Sequence, residues 1–388
     1  MAARKYDLIL YGASGFTGRQ TIDYCRRFAP PGLRWAIAGR NADKLDAVNS
    51  VRADVVVADS QDSQALHALA SKTRVVASTA GPFSIHGSKL VEACVNNRTD
   101  YCDITGETPW IRGLIDRHHE QARAEGTRII PCCGFDSIPS DYGAWLASRL
   151  VPDCRCVSAY FRVGGGLNGG TMATVLHLSE TGAIGATRDP FLLDPEPAVR
   201  SAEERARNTD PAVARFDDDL QQWVAPFFMG PINTRIVRRT QALLGQRFDY
   251  QEYMRCDGEW SARGVSFGGV VMEKLLGSRL GRSMLRRVVP APGEGPSDKT
   301  MDTGFFECEL IAQGSGGETG RFGVKGDGDP GNRITVKCLC ESAFVLAGVP
   351  GTDAEAAAGE GGVLTPVSGL GEPLIARLRQ ARIVLQSR

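Results

Sequence analysis

The chain lacks an excess of either charge, a long apolar run, and any paired-cysteine or histidine cluster. Its 388 residues carry 45 Lys+Arg against 45 Asp+Glu, so no global field attracts nucleic acid, and no nucleic-acid partner is expected. Nothing approaches the roughly 18 consecutive apolar residues of a membrane-spanning helix. No segment reads as a signal peptide, because an apolar run already starts at Tyr6. The five histidines include no H-x-x-x-H pair and no cluster spaced for a metal, so no metal is expected. The eleven cysteines are odd in number and irregularly placed. Cys132 and Cys133 are adjacent, Cys154/Cys156 and Cys338/Cys340 each enclose one residue, and none forms C-x-x-C. Reduced thiols acting as small core hydrophobes account for them, which points to a cytoplasmic protein.

What is present is alternation. YDLILY (6–11), LRWAIAG (33–39), DVVVAD (54–59), RVVAST (74–79), DYCDIT (100–105) and TRIIPCC (127–133) are short, nearly continuous apolar runs. Such runs are expected of parallel strands covered on both faces. Between them stand amphipathic helical patterns, among them 87–97 and 107–126, the latter stopped by Gly126. This predicts an α/β fold with an N-terminal Rossmann-type, doubly wound parallel sheet over residues 1–150. From Val151 the pattern changes to mixed signals. GGGLNGGT (164–171) leads into a helix, 195–219 is a polar excursion, and 305–314 with 319–328 form a hairpin. A second, α+β domain for substrate or dimerisation is expected over 151–333. A C-terminal helical segment, 334–388, is expected to return to the first domain and to end in an amphipathic helix.

LILYGASGFTGRQ places Gly12, Gly15 and Gly18 between a strand and a helix. Gly12 suits the tight turn, Gly15 lets backbone approach a pyrophosphate, and Gly18 lets helix and strand pack closely. The spacing is one residue wider than the usual dinucleotide fingerprint. NAD sites carry an acid after the second strand to bind the ribose 2′-hydroxyl. Here Arg40 stands there, with Lys44 one helical turn on. A guanidinium fork suits a 2′-phosphate, so the expected cofactor is NADP(H). Asp59, ending the third strand, is a candidate for the adenine side or for a helix N-cap.

Ligands in such a sheet sit at the carboxyl ends of the strands. Three loops project there: TAGPFSIHG (79–87), ITGETPW (104–110) and CGFDSIPSD (133–141). Thr79, Gly81, Pro82 and Phe83 are placed on the nicotinamide side, Phe83 offering an aromatic face. Asp103, Glu107 and Asp136 are carboxylates able to orient substrate or relay a proton, with capping the stronger reading for each. Ser137 and Tyr142 are candidate donors, and Asp103, Ser137 and Tyr142 are the catalytic candidates. Of the histidines, only His86 and His177 follow loops that reach a cleft.

YGASGFTG, AGRNADKL, AGPFSIHG, YCDITGE, CGFDSIPSD, WVAPFFMGPINTRIVRRTQALLG, PAPGEGPS and GEGGVLTP together span residues 11 to about 366. In this combination the chain resembles the saccharopine dehydrogenase-like oxidoreductases, specifically the trans-acting enoyl reductase branch. The resemblance implies a Rossmann domain, a second α+β domain and NADPH-linked reduction of an acyl or polyketide-type intermediate in lipid biosynthesis. Carried over by position, the cofactor loop is Gly12, Ser14, Gly15, Phe16, Thr17 and Gly18. The 2′-phosphate pair is Arg40 and Lys44, and Gly81 to Phe83 form the nicotinamide side. Two alternatives stand beside it: a saccharopine-reductase-like imine or ketone reductase, and a non-catalytic NADP(H)-binding regulator. A carrier-tethered substrate and a homo-oligomer are both compatible with these readings.

GGVVMEKLLGSRLGRSMLRRVVP (268–290) reads as one amphipathic helix. Met272, Leu275, Leu276, Leu280, Met284 and Val288 share a side, and Lys274, Arg279, Arg282, Arg286 and Arg287 make it basic. It suits peripheral contact with an anionic membrane, an acidic carrier protein, or an ordinary helix packed by its apolar side. Inward packing is the expectation.

Overall fold

The computed structural model describes residues 4–166, 168–195, 200–291, 293–348 and 360–388. Parts of GGGLNGGT, the 195–219 excursion, PAPGEGPS and the tail after 350 lie outside the described residues. The chain divides into two units, one running to Ile138 and resuming over Gly331–Arg382, the other comprising Pro139–Pro330 and Ile383–Arg388.

The first unit alternates as its apolar runs dictate. Its elements are β1 (Tyr6–Tyr11), α1 (Phe16–Phe28), β2 (Trp35–Gly39), α2 (Ala42–Val48), β3 (Asp54–Val57), α3 (Ser63–Ala70) and β4 (Thr73–Ser78). There follow α4 (Phe83–His86), α5 (Ser88–Asn96), β5 (Asp100–Asp103), α6 (Thr108–Glu125) and β6 (Arg128–Ile130). β1 pairs in parallel with both β2 and β4. The strand order therefore reverses beside β1, the switch point at which such sheets open a crevice. Leu8, Ile9, Val75, Val76 and Ile129 are fully buried, as expected of strands covered on both faces.

The second unit starts with α7 (Ile138–Ser148), β7 (Cys154–Gly164), α8 (Gly169–Glu180), α9 (Ala202–Arg207), β8 (Arg215–Asp217) and β9 (Gln222–Pro226). It continues with α10 (Gly230–Leu243), β10 (Asp249–Arg255), α11 (Glu259–Gly277), α12 (Arg279–Val288), α13 (Asp298–Thr303), β11 (Phe305–Gly314) and β12 (Thr319–Asp327). β11 and β12 are the expected hairpin, with Phe305 opposite Asp327. The segment 268–290 is two helices rather than one. Helix α11 starts earlier, and the chain breaks at Ser278, whose side chain accepts from Gly281 N and starts α12.

The chain then returns to the first unit through α14 (Thr335–Leu346) and β13 (Gly362–Val363), followed by α15 (Pro366–Leu370) and α16 (Pro373–Gln380). Helix α14 lies against β4, β5 and α1. Its buried Glu341 accepts from Tyr24 Oη and Arg377 Nε, each at 2.6 Å, so the carboxylate inside the helix layer is both paired and hydrogen-bonded. β13 joins β6 in parallel and completes the order β13-β6-β5-β4-β1-β2-β3. The expected terminal helix stops short. Arg382 turns with φ +63°, and β14 (Ile383–Ser387) pairs antiparallel with β12 in the second sheet, ordered β14-β12-β11-β7-β10-β9-β8. An available strand partner outweighs the helical spacing of the tail, whose Ile383 and Val384 favour extended backbone. All eleven cysteines are free thiols, nine of them buried, and they fill the core as small hydrophobes.

Helix α10 carries three nearly fully buried arginines, Arg235, Arg238 and Arg239. Arg235 pairs with Asp210 at 2.6 Å and donates to the carbonyls of Thr187 and Asp189. Arg238 donates to the carbonyls of Pro190 and Tyr250 at 2.9 and 2.8 Å and to Asn208 Oδ1 at 3.1 Å. Arg239 holds the Leu193 carbonyl at 2.7 Å. These side chains pin the irregular segment before α9 to α10 and β10. Burial, then the charge of Arg235, pushes the Arg238 guanidinium down to about 9. Replacing Arg238 by Leu removes its hydrogen bonds to three buried acceptors and is expected to destabilise the fold by about 3 kcal/mol or more. Denaturant unfolding checks this, and an unchanged midpoint contradicts it.

Candidate functional site

The turn after β1 is built by close approach. Gly12 has φ +82°, and a Cβ there would lie 2.9 Å from Ala80 N and 3.0 Å from Thr79 Oγ1. At Gly18 a Cβ would fall 2.3 Å from Gly12 O and 2.7 Å from Ala13 O, so α1 packs against its own turn only with glycine there. Gly15 is different. It is exposed, its φ of −72° suits any residue, and a Cβ would meet only Gly12 O, at 3.3 Å. Internal packing demands glycine at positions 12 and 18 and presses more lightly on Gly15.

Gly15 is also the N-cap of α1, where no side chain bonds the helix and no acid occupies the first turn. The first N–H groups of a helix, here Phe16 and Thr17, lack intrahelical acceptors and carry the positive end of the dipole. Ser14, half-buried, supplies only its carbonyl, which accepts from Arg19 Nη1 at 3.2 Å. Thr79 locks the turn to β4, its N–H and hydroxyl both donating to Tyr11 O. An open, uncapped helix start without a side chain at Gly15 fits a pyrophosphate.

Beyond β2 stand Arg40 and Lys44. Both are exposed, and neither guanidinium nor ammonium makes an ion pair or hydrogen bond among the described residues. Asn41 caps α2 by accepting from Lys44 N at 2.9 Å, which fixes the backbone between them. Asp59 does not cap α3. That role belongs to Asp62, which accepts from Ala65 N, while Asp59 accepts from Gln61 N at 2.8 Å. The charges of Arg40 and Asp59 both bear on His86, whose pKa is lowered first by burial and then by Arg40. The His86 ring nitrogen Nδ1 lies 2.9 Å from Ser60 Oγ. Two unpaired cations beyond β2 fit a 2′-phosphate.

The loop after β4 departs from its expected geometry. Gly81 is exposed and Pro82 half-buried, but Phe83 turns inward and packs on Trp110, ring centroids 5.7 Å apart. Its ring is therefore not an open aromatic face, because α4 buries it. Glu107, fully buried, accepts from Phe83 N at 2.6 Å and Ser84 N at 3.0 Å. The capping expected of Glu107 is thus delivered to α4, across the sheet edge, and not by its side chain to α6. Asp103 ends β5 and is wholly enclosed. Burial pushes its carboxyl up to about 7, despite hydrogen bonds from Thr105 N, Tyr101 Oη and Cys132 N. Every one of those bonds fastens neighbouring chain, so Asp103 is a structural clamp for the loops after β5 and β6.

The catalytic candidates of the CGFDSIPSD loop are also displaced. Ser137 and Tyr142 are both fully buried, so neither hydroxyl reaches a ligand as it stands. Ser137 neighbours the Cys132 thiol. Tyr142 belongs to the second unit, edge-on to Trp145 with centroids 6.0 Å apart. Asp136 behaves otherwise. The loop around it is anchored by Phe135 N donating to Thr335 Oγ1 at 3.1 Å and by Cys133 N donating to Asp103 O at 2.7 Å. Asp136 itself is half-buried, and its carboxylate makes no hydrogen bond or ion pair among the described residues. Burial alone pushes its pKa up to about 6. The sequence favoured a capping role for it, but the structure gives it nothing to cap. The sequence carries no signal separating Asp136 from Ser137, since both precede the helix by a capping distance.

Residues 8–130 match the family model for the saccharopine dehydrogenase NADP binding domain. A Mycobacterium tuberculosis protein provisionally named as a trans-acting enoyl reductase is 36% identical over 422 residues, covering 99% of this chain and 98% of its own. The trans-acting enoyl reductases of Mycobacterium leprae and Mycobacterium ulcerans are 32% and 33% identical, with 98% and 100% of this chain covered and 97% and 98% of theirs. Among solved structures, an apo saccharopine dehydrogenase (L-Glu forming) from Saccharomyces cerevisiae aligns with a TM-score of 0.56 at 13% identity. That alignment covers 98% of this chain and 99% of the yeast chain, and it shows a shared fold. The glycine turn, the unpaired cations beyond β2 and the full-length similarity together place this NADP(H)-linked oxidoreductase chain in the trans-acting enoyl reductase family, within the saccharopine dehydrogenase-like proteins.

Proposed function

We propose that the protein uses NADPH to reduce the activated C=C bond of an acyl or polyketide-type thioester, delivered in trans by a separate carrier protein. The observation supporting a proton-coupled reduction is Asp136, an unpaired, half-buried carboxylate beyond the carboxyl end of β6. It shares that sheet with the uncapped start of α1. The cofactor, when bound, supplies a hydride. The N–H groups of Phe16 and Thr17 hold its pyrophosphate, with Gly15 giving room for the approach. Arg40 and Lys44 hold the 2′-phosphate, Asp59 lies on the adenosine side, and the Gly81–Pro82 backbone borders the nicotinamide.

Addition at the β-carbon of the substrate would shift the C=C electron pair toward the α-carbon and the thioester oxygen. Asp136 then gives its proton to the α-carbon and regains one from water, which balances the reduction. Ser137, Tyr142 and Asp103 are not assigned that step. The first two are buried, and the third is fully committed to chain-fastening bonds. A donor with a pKa near the working pH is suited to such transfer.

NADPH oxidation with a panel of enoyl thioesters, ketones and imines tests this reading. Turnover of an enoyl thioester supports it, and turnover of ketones or imines alone overturns it. Gly15→Ala is expected to leave the melting temperature unchanged while weakening NADPH binding at least about tenfold, through loss of phosphate contacts. Arg40→Ser is expected to raise the KM for NADPH by about 10- to 100-fold, the value of a charge-assisted contact, and to leave that for NADH unchanged.

The Asp136 carboxyl is protonated below about 6, so kcat/KM is expected to fall as pH rises through that value. Asp136→Asn should remove this limb and lower kcat by about 10²- to 10⁴-fold, with NADPH affinity retained. A limb that persists in the variant assigns the titration elsewhere.

A further inference from the structure

Helices α11 and α12 bury little of what their sequence offers. On α11, Ala262 and Leu276 face inward. Leu276 joins Leu285 of α12 and Leu176 of α8 in one small core. On the opposite side of α11, Trp260 and Phe267 are 83% and 71% exposed, and Val271 follows at the same helical phase. On α12, Leu280, Met284 and Val288 recur every four residues and are 74%, 56% and 84% exposed. Inward packing, the expectation for 268–290, holds for Leu276 and Leu285, with the partly buried Leu275 and Val289 packed against them. A second apolar stripe on each helix faces water, and an exposed patch of this kind marks a contact surface.

The charges beside the stripes are of one sign. Lys274, Arg279 and Arg287 make no ion pair or hydrogen bond among the described residues. Arg282 donates to the Leu276 carbonyl, and Arg286 pairs with Glu180. Glu273, the only acid in 268–290, is taken up by Arg188 at 2.6 Å. Within a chain of zero net charge, this is a local concentration of unneutralised cations flanking Trp, Phe, Leu, Met and Val.

We propose that α11 and α12 dock the protein onto an anionic lipid surface. Exposed aromatic and aliphatic side chains enter the headgroup boundary, and the flanking cations meet lipid phosphates. A second copy is a poorer occupant, because a two-fold contact here would set the arginines of α12 against their own copies. An acidic carrier would answer the cations but leave the exposed apolar stripes of both helices without an apolar partner. The proposal is independent of which bond the enzyme reduces.

The test is flotation of the full-length protein with phosphatidylcholine vesicles and with vesicles rich in phosphatidylglycerol. Binding is expected only to the second, and added salt should weaken it. The double variant Arg279→Glu, Arg287→Glu is expected to lose at least about 25-fold in affinity, from a factor of about five per cation. Phe267→Ser with Leu280→Ser should lose binding through the apolar arm. Both variants should keep the parent's melting temperature and its turnover of NADPH, because these side chains are exposed. Equal binding to both vesicle types, or none to either, overturns the proposal. So does a concentration-dependent dimer that the same substitutions abolish, which would assign the surface to a second copy.

Discussion

The close approach of α1 to its own turn is the constraint on which the first unit depends. A Cβ on Gly18 would fall 2.3 Å from Gly12 O and 2.7 Å from Ala13 O, so only glycine lets the helix start this close to its own turn. That places the helix dipole and its unpaired N–H groups at the end of β1, where the strand order reverses. A side chain at position 18 would push the helix away and displace the phosphate cradle. Thr79 and Ala80, packed against Gly12, carry the same constraint to β4. The loop after β4 therefore inherits its position from the glycine turn.

Further along the sheet, the carboxylates divide by what surrounds them. Asp103 and Glu107 are buried and answered by several donors each, so they hold loops in place and have no capacity left for a substrate. Asp136 sits in a loop fastened by hydrogen bonds but its carboxylate has no partner among the described residues. A buried polar group without a partner costs stability, and burial alone raises the Asp136 pKa. Arg40 and Lys44 make the matching case among cations: exposed, unpaired and fixed by a capped helix start.

Much of this was legible in the sequence because it rests on local rules. Six apolar runs form six parallel strands, and the glycine turn with Arg40 agrees with the cofactor class of the matching NADP binding domain. The failures share one cause: the decisive contact comes from far along the chain. Glu107 caps a helix 24 residues upstream, and the tail becomes a strand because β12 offers it an edge. Phe83 turns inward because Trp110 is there to receive it. Ser137 and Tyr142, at the start of α7, are fully buried, which their polar side chains did not announce. Helical periodicity in 268–290 showed an apolar side without showing that a second apolar side would be left in water.

The account's central claim is that hydride from NADPH and a proton from the protein are added across one C=C bond. Turnover of an enoyl thioester with NADPH deuterated at the nicotinamide C4 tests it most directly. The account predicts a single deuterium on the β-carbon of the saturated product, and solvent-derived hydrogen on the α-carbon. Deuterium on a carbonyl or imine carbon, or none in the product, would contradict it.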